Sequence, residues 1–391
     1  MSNRVIGSPN SAGSEALPPS FEAEEPEKMS VAVLASGGVD SAVATHLMVE
    51  RGFRPTLFYI IIGAKEDSEF SCTMEEDMEM VKMLGRQYGL PVETVDLHRD
   101  YWDGVISYLI DRVKKGLTPN PDVMCNSLIK FGCFYDRVGH GFDLTVTGHY
   151  ASTAMVDGVK YLATSPDPVK DQTDFLCQLT PRQLHSLEFP IGRMMKSDVR
   201  AVAEKYGLAP AHRKDSQGIC FLGNTTYNSL LRHYLGDKEG NIVEVESGRV
   251  LGQHKGYWYY TLGQRKGLGL GGGPWFVVNK DIDTNTVFVT RQIDDPSQLC
   301  NADEFALSDF HTIATDSLPF RPSGERIYFK IRHSPDFEQG TFHYDEASHR
   351  YLIHSDRVIR GVAPGQFAVV YKDWDGQRKL CLGSGEIASR L

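Results

Sequence analysis

The chain of 391 residues lacks several features that would place it in other classes of protein. It has no run of about 18 apolar residues, so we expect no membrane-spanning helix. Its seven cysteines show neither C-x-x-C nor any other metal-ligand spacing, which favours a reducing, cytoplasmic environment and reactive thiols rather than structural disulfides. Residues 1–28 have too few arginines and too many glutamates for a mitochondrial presequence, and no apolar stretch of a secretion signal. Their Ser, Pro, Ala and Glu content predicts a disordered tail.

The net charge of −10 argues against general binding of polyanions, yet the charge is unevenly distributed. Residues 193–266 contain 12 Lys and Arg but 7 Asp and Glu, a local net charge of +5. Such a basic segment is compatible with local binding of a nucleic acid, or with an ordinary solvated face. The aromatic run at 257–260 stands between Lys255 and Arg265, a mixture suited to RNA as well as to core packing.

Alternating strand and helix patterns over the first half of the chain predict a parallel sheet covered by helices on both faces. The strand patterns fall at 31–35, 56–62, 92–96 and 144–147, and the helical patterns at about 40–51, 73–88, 101–115 and 125–138. Further β-like runs at 274–278, 286–290, 327–331, 351–354 and 366–371 predict a small antiparallel barrel or sandwich. We therefore predict a disordered tail (1–28), an α/β catalytic domain (29–215), a small central domain (216–274) and a C-terminal antiparallel β-barrel (275–391).

The turn Ser36-Gly37-Gly38 follows the first strand and leads into a helix that begins near Asp40. Successive backbone N–H groups of such a turn, together with the positive end of the helix, form an anion site. No Gly-Lys-Ser/Thr follows, so the turn is not the phosphate loop of the Walker ATPases. The order S-G-G-x-D-S resembles the pyrophosphate loop of enzymes that adenylate a carbonyl oxygen and release pyrophosphate.

Two cysteines stand in polar, glycine- or proline-containing motifs. In the first motif, Asp122 precedes Cys125 by three residues at or near a predicted helix start, where the helix dipole favours thiolate. In the second, Cys220 lies in a glycine-containing loop that follows the basic run 212–214. Each cysteine alone is compatible with a small buried side chain, but a pyrophosphate loop in the same chain gives the pair a catalytic interpretation.

These motifs together resemble the tRNA-specific 2-thiouridylase family, whose members place sulfur on the wobble uridine of tRNA. The resemblance runs from about residue 29 to the C-terminus and rests on motifs at spaced positions: S-G-G-V-D-S (36–41), N-P-D-V-M-C-N (120–126), T-G-H-Y-A (147–151), K-D-Q (170–172), F-P-I-G (189–192), D-S-Q-G-I-C-F (215–221), L-G-Q-H-K-G (251–256) and Y-T-L-G-Q-R-K-G-L-G (260–269).

The resemblance implies a role for each matching residue. It implies that the ATP site is formed by Leu34, Ala35, Ser36, Gly37, Gly38, Val39, Asp40, Ser41, Tyr59 and Gly148. It implies Cys125 as nucleophile, Cys220 as persulfide carrier and Asp122 as acid and base, with Asn120 and Pro121 beside Asp122 at the flipped uracil. The implied tRNA contacts are His149, Lys170, Asp171, Gln172, Arg332, His333 and Gln366.

The resemblance also implies the reaction, the cofactors and the partners. ATP, with Mg²⁺, adenylates O2 of uridine 34, and the Cys220 persulfide then supplies sulfur to C2, giving 2-thiouridine, AMP and pyrophosphate. Cys125 resolves the linkage through a transient disulfide with Cys220, which a reductant reopens. The expected partners are the anticodon stem-loops of Lys, Glu and Gln tRNAs, and a cysteine desulfurase or sulfur-relay protein.

Four alternatives stay open from the sequence. Amide- and guanidine-forming ligases share the loop but have no use for two loop cysteines with an acid beside one. A 4-thiouridine synthase would be expected to carry an RNA-binding domain before the loop. A non-catalytic tRNA-binding protein is disfavoured because the loop, Asp122 and both cysteines are intact. Finally, Asp122, Cys125 and Cys220 could hold an iron–sulfur cluster with one open iron.

Overall fold

The computed structural model describes residues 25–62, 74–214, 226–292, 294–295, 300–315, 318 and 322–388. The tail predicted to be disordered lies outside these residues up to residue 24, and so does the motif at 215–221 with Cys220. Within the described ranges, no helix is both long and apolar enough to cross a membrane.

The strands, in chain order, are β1 (Val31–Leu34), β2 (Thr56–Ile61), β3 (Val92–Asp96), β4 (Leu144–Val146), β5 (Ser152–Val156), β6 (Val159–Ala163), β7 (Leu187–Glu188), β8 (Gly240–Glu244), β9 (Val250–His254), β10 (Phe276–Asp281), β11 (Thr286–Thr290), β12 (Ala302–Thr312), β13 (Ser323–Lys330), β14 (Glu338–Asp345), β15 (Arg350–Ile359), β16 (Phe367–Asp373) and β17 (Lys379–Ile387).

The α-helices are α1 (Val39–Glu50), α2 (Met74–Tyr88), α3 (His98–Tyr101), α4 (Ser107–Lys114), α5 (Pro121–Met124), α6 (Phe134–Arg137), α7 (Pro181–His185), α8 (Lys196–Lys205) and α9 (Tyr227–Leu235). Two π-helical segments, Trp102–Ile106 and Cys125–Cys133, join α3 to α4 and α5 to α6. Short 3₁₀ turns occupy Pro26–Lys28, Gly139–Gly141, Thr173–Leu176 and Tyr257–Tyr259.

The N-terminal unit is built on a five-stranded sheet with the order β3-β2-β1-β4-β7, in which every pair is parallel. Alternate residues of β1 enter different cores: Val31 and Val33 pack on one face, and Ala32 and Leu34 on the other. The predicted parallel sheet with both faces covered is therefore confirmed. In such sheets, ligands bind at the carboxyl ends of the strands where the strand order reverses, here between β1 and β4.

The central unit contains a four-stranded sheet with the order β10-β11-β8-β9. We expected β10 and β11 to belong to the C-terminal barrel, and this was wrong: β11 pairs in parallel with β8, and β10 pairs with β11. The physical reason is an apolar core shared across the sheet, to which Ile242, Val277 and Val287 all contribute.

The C-terminal unit is a six-stranded antiparallel barrel, β12-β15-β14-β13-β16-β17, closed by pairing of β12 with β17. Its interior is filled by apolar side chains such as Phe329, Phe342 and Val370. The hairpin of β5 and β6, which the sequence analysis did not foresee, leaves the N-terminal unit and extends this sheet beside β17. The predicted C-terminal antiparallel β-barrel is confirmed.

Contacts from both later units reach the segment at 112–118, just before α5. Arg112 forms an ion pair with Glu386 at 2.6 Å, and the Thr118 amide donates to the Pro364 carbonyl at 2.8 Å. The Tyr257 hydroxyl of the central unit donates to the Lys114 carbonyl at 2.6 Å. The entry to α5 is therefore held from two sides.

Candidate nucleotide and RNA site

The loop between β1 and α1 has the geometry of an anion site. Gly37 has a positive φ of 75°, and a Cβ there would stand 2.6 Å from the Asp77 carbonyl oxygen, so only glycine fits without a shift. Inside the loop, the Ser41 hydroxyl donates to the Gly38 carbonyl at 3.1 Å and accepts from the Ser36 amide at 3.2 Å. These bonds fix the turn at the positive end of α1.

Gly148 follows β4 and packs directly on this loop. A Cβ at Gly148 would lie 2.7 Å from both the Asp40 carbonyl carbon and the Ser41 nitrogen. The loops after β1 and β4 thus meet where the strand order reverses, which is the position expected for a ligand of such a sheet. Leu34 to Ser41 and Gly148, the predicted nucleotide residues, are brought together.

Three side chains that the sequence analysis did not single out bind the loop. The Lys196 ammonium donates to both Asp40 carboxylate oxygens, at 2.7 and 2.9 Å, and the Tyr150 hydroxyl donates to Asp40 Oδ1 at 2.9 Å. Arg213 donates to the Gly37 carbonyl at 3.0 Å and to Asp77 Oδ1 at 2.7 Å. Tyr150 belongs to the T-G-H-Y-A motif and Arg213 to the basic run 212–214, which were usable signals, whereas nothing local marks Lys196.

Tyr59, predicted to line the adenine, lies in β2 next to β1 and is 7% exposed. Burial raises the pKa of its hydroxyl, Asp77 raises it further and Arg213 opposes this. Tyr59 is therefore a neutral phenol at physiological pH, in the same electrostatic neighbourhood as the loop.

The helix with Cys125 begins earlier than we expected. The Asn120 side chain caps it by accepting from the amides of Asp122 and Val123, at 3.2 and 3.3 Å, and Pro121 is its first residue. Cys125 lies five residues after the cap, at the start of a π-helical segment, and is 1% exposed. The prediction of a cysteine at the helix start is thus wrong in position, and the Asn120 side chain is already used by the backbone.

His149 connects the nucleotide loop with the helix of Cys125. Its Nδ1 lies 2.8 Å from the Thr147 hydroxyl in a hydrogen bond, and its ring packs 5.9 Å from that of Phe131. Burial lowers the pKa of His149 well below its ordinary value, and Lys130 lowers it further. A neutral imidazole therefore stands beside Gly148.

The segment at 170–172 was predicted to touch tRNA, but its side chains differ in location. The Asp171 side chain is 2% exposed and accepts from Lys330 at 3.2 Å, from the Thr173 hydroxyl and from the Ser165 amide. The expectation that Asp171 contacts RNA is therefore corrected: a buried carboxylate keeps to a buried counter-charge. Lys170 and Gln172 are partly exposed.

The barrel residues predicted to touch tRNA surround the same region. His333 Nδ1 lies 3.0 Å from Asp174 Oδ2, and its ring lies 4.8 Å from that of Phe175. The Asp174 hydrogen bond raises the pKa of His333, against the opposing effect of burial. Arg332 donates to the carbonyls of Arg360 and Gly361.

Gln366, another predicted RNA contact, lies next to the segment that enters α5. The neighbouring Gly365 is so close to that segment that a Cβ would stand 2.8 Å from Leu117 Cβ and 2.9 Å from the Thr118 nitrogen. The structure therefore places Gly365, the residue before Gln366, against residues 117–118, which precede Asn120 and Pro121.

In the described part of the chain, no three His, Cys, Asp or Glu side chains are grouped so that they could hold a metal ion. The donor set suggested for an iron–sulfur cluster includes Cys220, which lies outside the described residues, and we derive no step through a cluster. Mg²⁺ in phosphate sites needs only one or two carboxylates besides the phosphates. Asp40 could serve as one of them only if the metal replaced the Lys196 ammonium, which its carboxylate binds through both oxygens.

Comparison with known proteins covers most of the chain. Residues 29–224 match the tRNA methyl transferase HUP domain model, 228–291 the tRNA methyl transferase PRC-barrel domain and 302–387 the aminomethyltransferase β-barrel domain. The chain is 51% identical over 361 residues to tRNA-specific 2-thiouridylase MnmA 1 of Bacteroides thetaiotaomicron, covering 92% of this chain and 99% of the relative. It is also 51% identical over 362 residues to tRNA-specific 2-thiouridylase MnmA of Porphyromonas gingivalis, with the same coverage.

Among solved structures, the U34-tRNA thiolase NcsA from Methanococcus maripaludis with its [4Fe-4S] cluster aligns at a TM-score of 0.35 and 16% identity, over 55% of this chain and 70% of that one. A 4-thiouridine synthetase in complex with RNA and bound ATP aligns at a TM-score of 0.31 and 15% identity, over 52% of this chain and 49% of that one.

Proposed function

The chain belongs to the tRNA-specific 2-thiouridylase family, and we propose that it converts uridine 34 of a tRNA anticodon to 2-thiouridine with consumption of ATP. The observation that carries the proposal is the glycine loop at the carboxyl edge of β1, closed by Gly148 and joined through His149 to the helix of Asp122 and Cys125. This arrangement supports an activating nucleotide and a nucleophile acting on one base.

In the first step, O2 of the uracil attacks the α-phosphorus of ATP. The O2–P bond forms, the bond to the β-phosphate oxygen breaks, and pyrophosphate leaves. The loop amides and the positive end of α1 stabilise the negative charge that develops on the phosphates. Asp122 moves the uracil N3 proton as base and acid. Mg²⁺ beside Asp40 would neutralise phosphate charge.

In the second step, the terminal sulfur of a persulfide on Cys220 attacks C2, and AMP leaves with the former O2. Cys125 thiolate then attacks Cys220 Sγ, which breaks the S–S bond and releases the thiocarbonyl on the base. The resulting disulfide between Cys125 and Cys220 is reduced by an external thiol with two electrons. Because Cys125 is 1% exposed, the base and the segment with Cys220 must both approach it from the Asp122 side of the helix or displace its neighbours.

For the RNA we propose the anticodon stem-loop of Lys, Glu and Gln tRNAs, whose nucleotide 34 must leave its stack to reach this site. The protein residues that we propose to contact this RNA are Asn120, Pro121, His149, Lys170, Gln172, Arg332, His333 and Gln366. A cysteine desulfurase or a sulfur-relay protein is the proposed sulfur donor.

The first experiment follows the nucleotide products. With ATP and substrate tRNA, the protein should form AMP and pyrophosphate, and without tRNA it should form neither at a comparable rate. Formation of ADP would contradict the proposal. Nucleoside analysis of the tRNA should give 2-thiouridine at position 34; 4-thiouridine would support the runner-up, a 4-thiouridine synthase.

The second experiment separates the two cysteines. Incubation with a cysteine desulfurase and cysteine should add one sulfur atom, about 32 Da, to Cys125→Ser but not to Cys220→Ser. Both variants should still adenylate tRNA. Sulfur loading that survives Cys220→Ser, or a trapped disulfide that excludes Cys125, would refute these roles and leave the thiolation reaction standing.

A further inference from the structure

Two side chains from outside the nucleotide loop donate hydrogen bonds to Asp40. Its carboxylate accepts from the Lys196 ammonium through both oxygens and from the Tyr150 hydroxyl through Oδ1. The Lys196 side chain is 15% exposed, and the Tyr150 residue is 2% exposed. Both donors are therefore held by packing, and a shift in either of them changes the setting of Asp40.

Both donors are bound through their backbones to one turn, residues 167–172. The Lys196 amide donates to Asp167 Oδ2 at 2.9 Å, while Asp167 Oδ1 accepts from the amides of Val169 and Lys170, each at 3.1 Å. Asp167 itself is 5% exposed. A single buried carboxylate therefore fixes both the turn and the first residue of α8.

The second link runs through Gln172. The Gln172 amide donates to the Tyr150 carbonyl at 2.8 Å, and the Tyr150 amide donates to Gln172 Oε1 at 3.0 Å. Tyr150 is thus bonded to the turn at its backbone and to Asp40 at its hydroxyl. Lys196 and Tyr150 are therefore each bonded both to the turn and to Asp40 of the nucleotide loop.

The charges of Asp40 and Lys196 make this connection relevant to anion binding at the loop. An unpaired carboxylate at Asp40 would repel the phosphates that the loop amides attract, and Lys196 cancels that charge at 2.7 Å. The ammonium can do so only where the Asp167 bond and the start of α8 place it. The position of the turn therefore affects how well the loop accepts an anion.

We propose that Lys196 and Tyr150 are positioning residues that couple the turn 167–172 to Asp40, so that RNA bound at the turn and nucleotide bound at the loop strengthen each other. The inference rests on the proposed function, which places RNA at Lys170 and Gln172 and ATP at the loop. Coupling of two sites is a free energy and is reciprocal, so each ligand must change the affinity of the other by the same factor.

The test measures binding, not turnover. The Kd of a non-hydrolysable ATP analogue is determined by calorimetry on the full chain, with and without saturating substrate tRNA. The wild type should show a ratio of at least about fivefold, the lower end of ordinary allosteric coupling, and the reverse titration should give the same ratio. In Lys196→Met and in Tyr150→Phe the ratio should fall to near one. Lys196→Met should also weaken the analogue when it binds alone, because Asp40 is then without its cation, whereas Tyr150→Phe keeps that cation and should bind each ligand alone within a few-fold of wild type.

Two further variants distinguish coupling from a general effect on stability. Lys196→Arg keeps the cation and should restore part of the ratio, which a role in general stability would not predict. Lys205→Met, at the exposed far end of α8, should leave the ratio at the wild-type value. Tyr150→Phe retains the buried ring, so this variant keeps the test valid if Lys196→Met does not fold.

The possible outcomes are distinguishable. A wild-type ratio of one, or a ratio unchanged in both Lys196→Met and Tyr150→Phe, would overturn the coupling even if AMP is formed in the presence of tRNA. Failure of the wild type to bind either ligand would overturn the proposed function, and this inference with it.

Discussion

Replacement of Lys330 by methionine should cost a large part of the stability of the protein. Lys330 is 2% exposed and its ammonium lies 3.2 Å from Asp171, which is also 2% exposed. At an effective dielectric constant near 20, two unit charges at that separation attract by about 5 kcal/mol. Because Lys330→Met leaves the carboxylate buried without its counter-charge, we expect a loss of about 3–5 kcal/mol in the free energy of unfolding at neutral pH.

The loss should depend on pH with a defined sign. Burial raises the pKa of Asp171, and Lys330 opposes this, so removal of Lys330 raises that pKa further. A carboxyl whose pKa is higher in the folded than in the unfolded state binds its proton more tightly when folded. The variant therefore loses stability as pH rises from the unfolded pKa through the raised folded pKa, and its deficit shrinks in acid.

Urea unfolding of wild type and variants, followed by tryptophan fluorescence at several pH values, measures this. The double variant Lys330→Met with Asp171→Asn removes both charges and should recover much of the loss. Arg326→Met is the matched control, because Arg326 lies in the same strand and pairs with Asp356 at 2.6 Å in an exposed position. It should cost less than about 1 kcal/mol. A similar small cost for Lys330→Met, or no recovery in the double variant, would refute the reasoning.

Three other predictions follow from the site. Gly148→Ala places a Cβ 2.7 Å from backbone atoms of the loop, so the loop must shift: the Kd for an ATP analogue should rise at least about tenfold, and the melting temperature should fall. Asp174 raises the pKa of His333, so the stabilising charge on His333 is fully present below the unfolded pKa and is lost as pH rises through the folded one. In Asp174→Asn an NMR titration should place the His333 midpoint at lower pH, and an unmoved midpoint would contradict this. Reversal of charge at the exposed Arg265 and Lys266 should weaken tRNA binding and reduce its salt slope by about one per lost phosphate contact, and an unchanged slope would mean that neither residue touches RNA.

The nucleotide loop was predictable because its signals are local. An apolar strand, two glycines and a helical pattern stand next to one another, and the structure has β1 ending at Leu34 and α1 beginning at Val39. The start of α5 was also encoded locally, since an asparagine before a proline is the usual order of a cap and a first helical residue. That signal is present at Asn120 and Pro121, whereas the helix was predicted to begin at about residue 125, where the apolar run starts.

Of the missed features, the hairpin of β5 and β6 had a local signal, because Asp157-Gly158, both at positive φ, forms a two-residue turn between them. The other features depend on residues that are distant in sequence, as does the pairing of β6 with β17, where Leu162 pairs with Cys381. Asp171 was predicted to touch tRNA from the resemblance alone, and it is buried because Lys330 supplies a counter-charge from the barrel. The ion pair of Asp40 with Lys196 likewise could not be predicted, because Lys196 reaches Asp40 only through the packing of α8.

The helix that carries Cys125 also depends on residues that are distant in sequence. The segment that leads into it is bonded to the barrel through Arg112 and Thr118 and to the central unit through the Lys114 carbonyl. The Thr118 bond lies two residues before Asn120, which caps the helix, so a displacement of the barrel would change the direction in which the helix begins. The orientation of Cys125 is therefore set by the N-terminal sheet together with both later units.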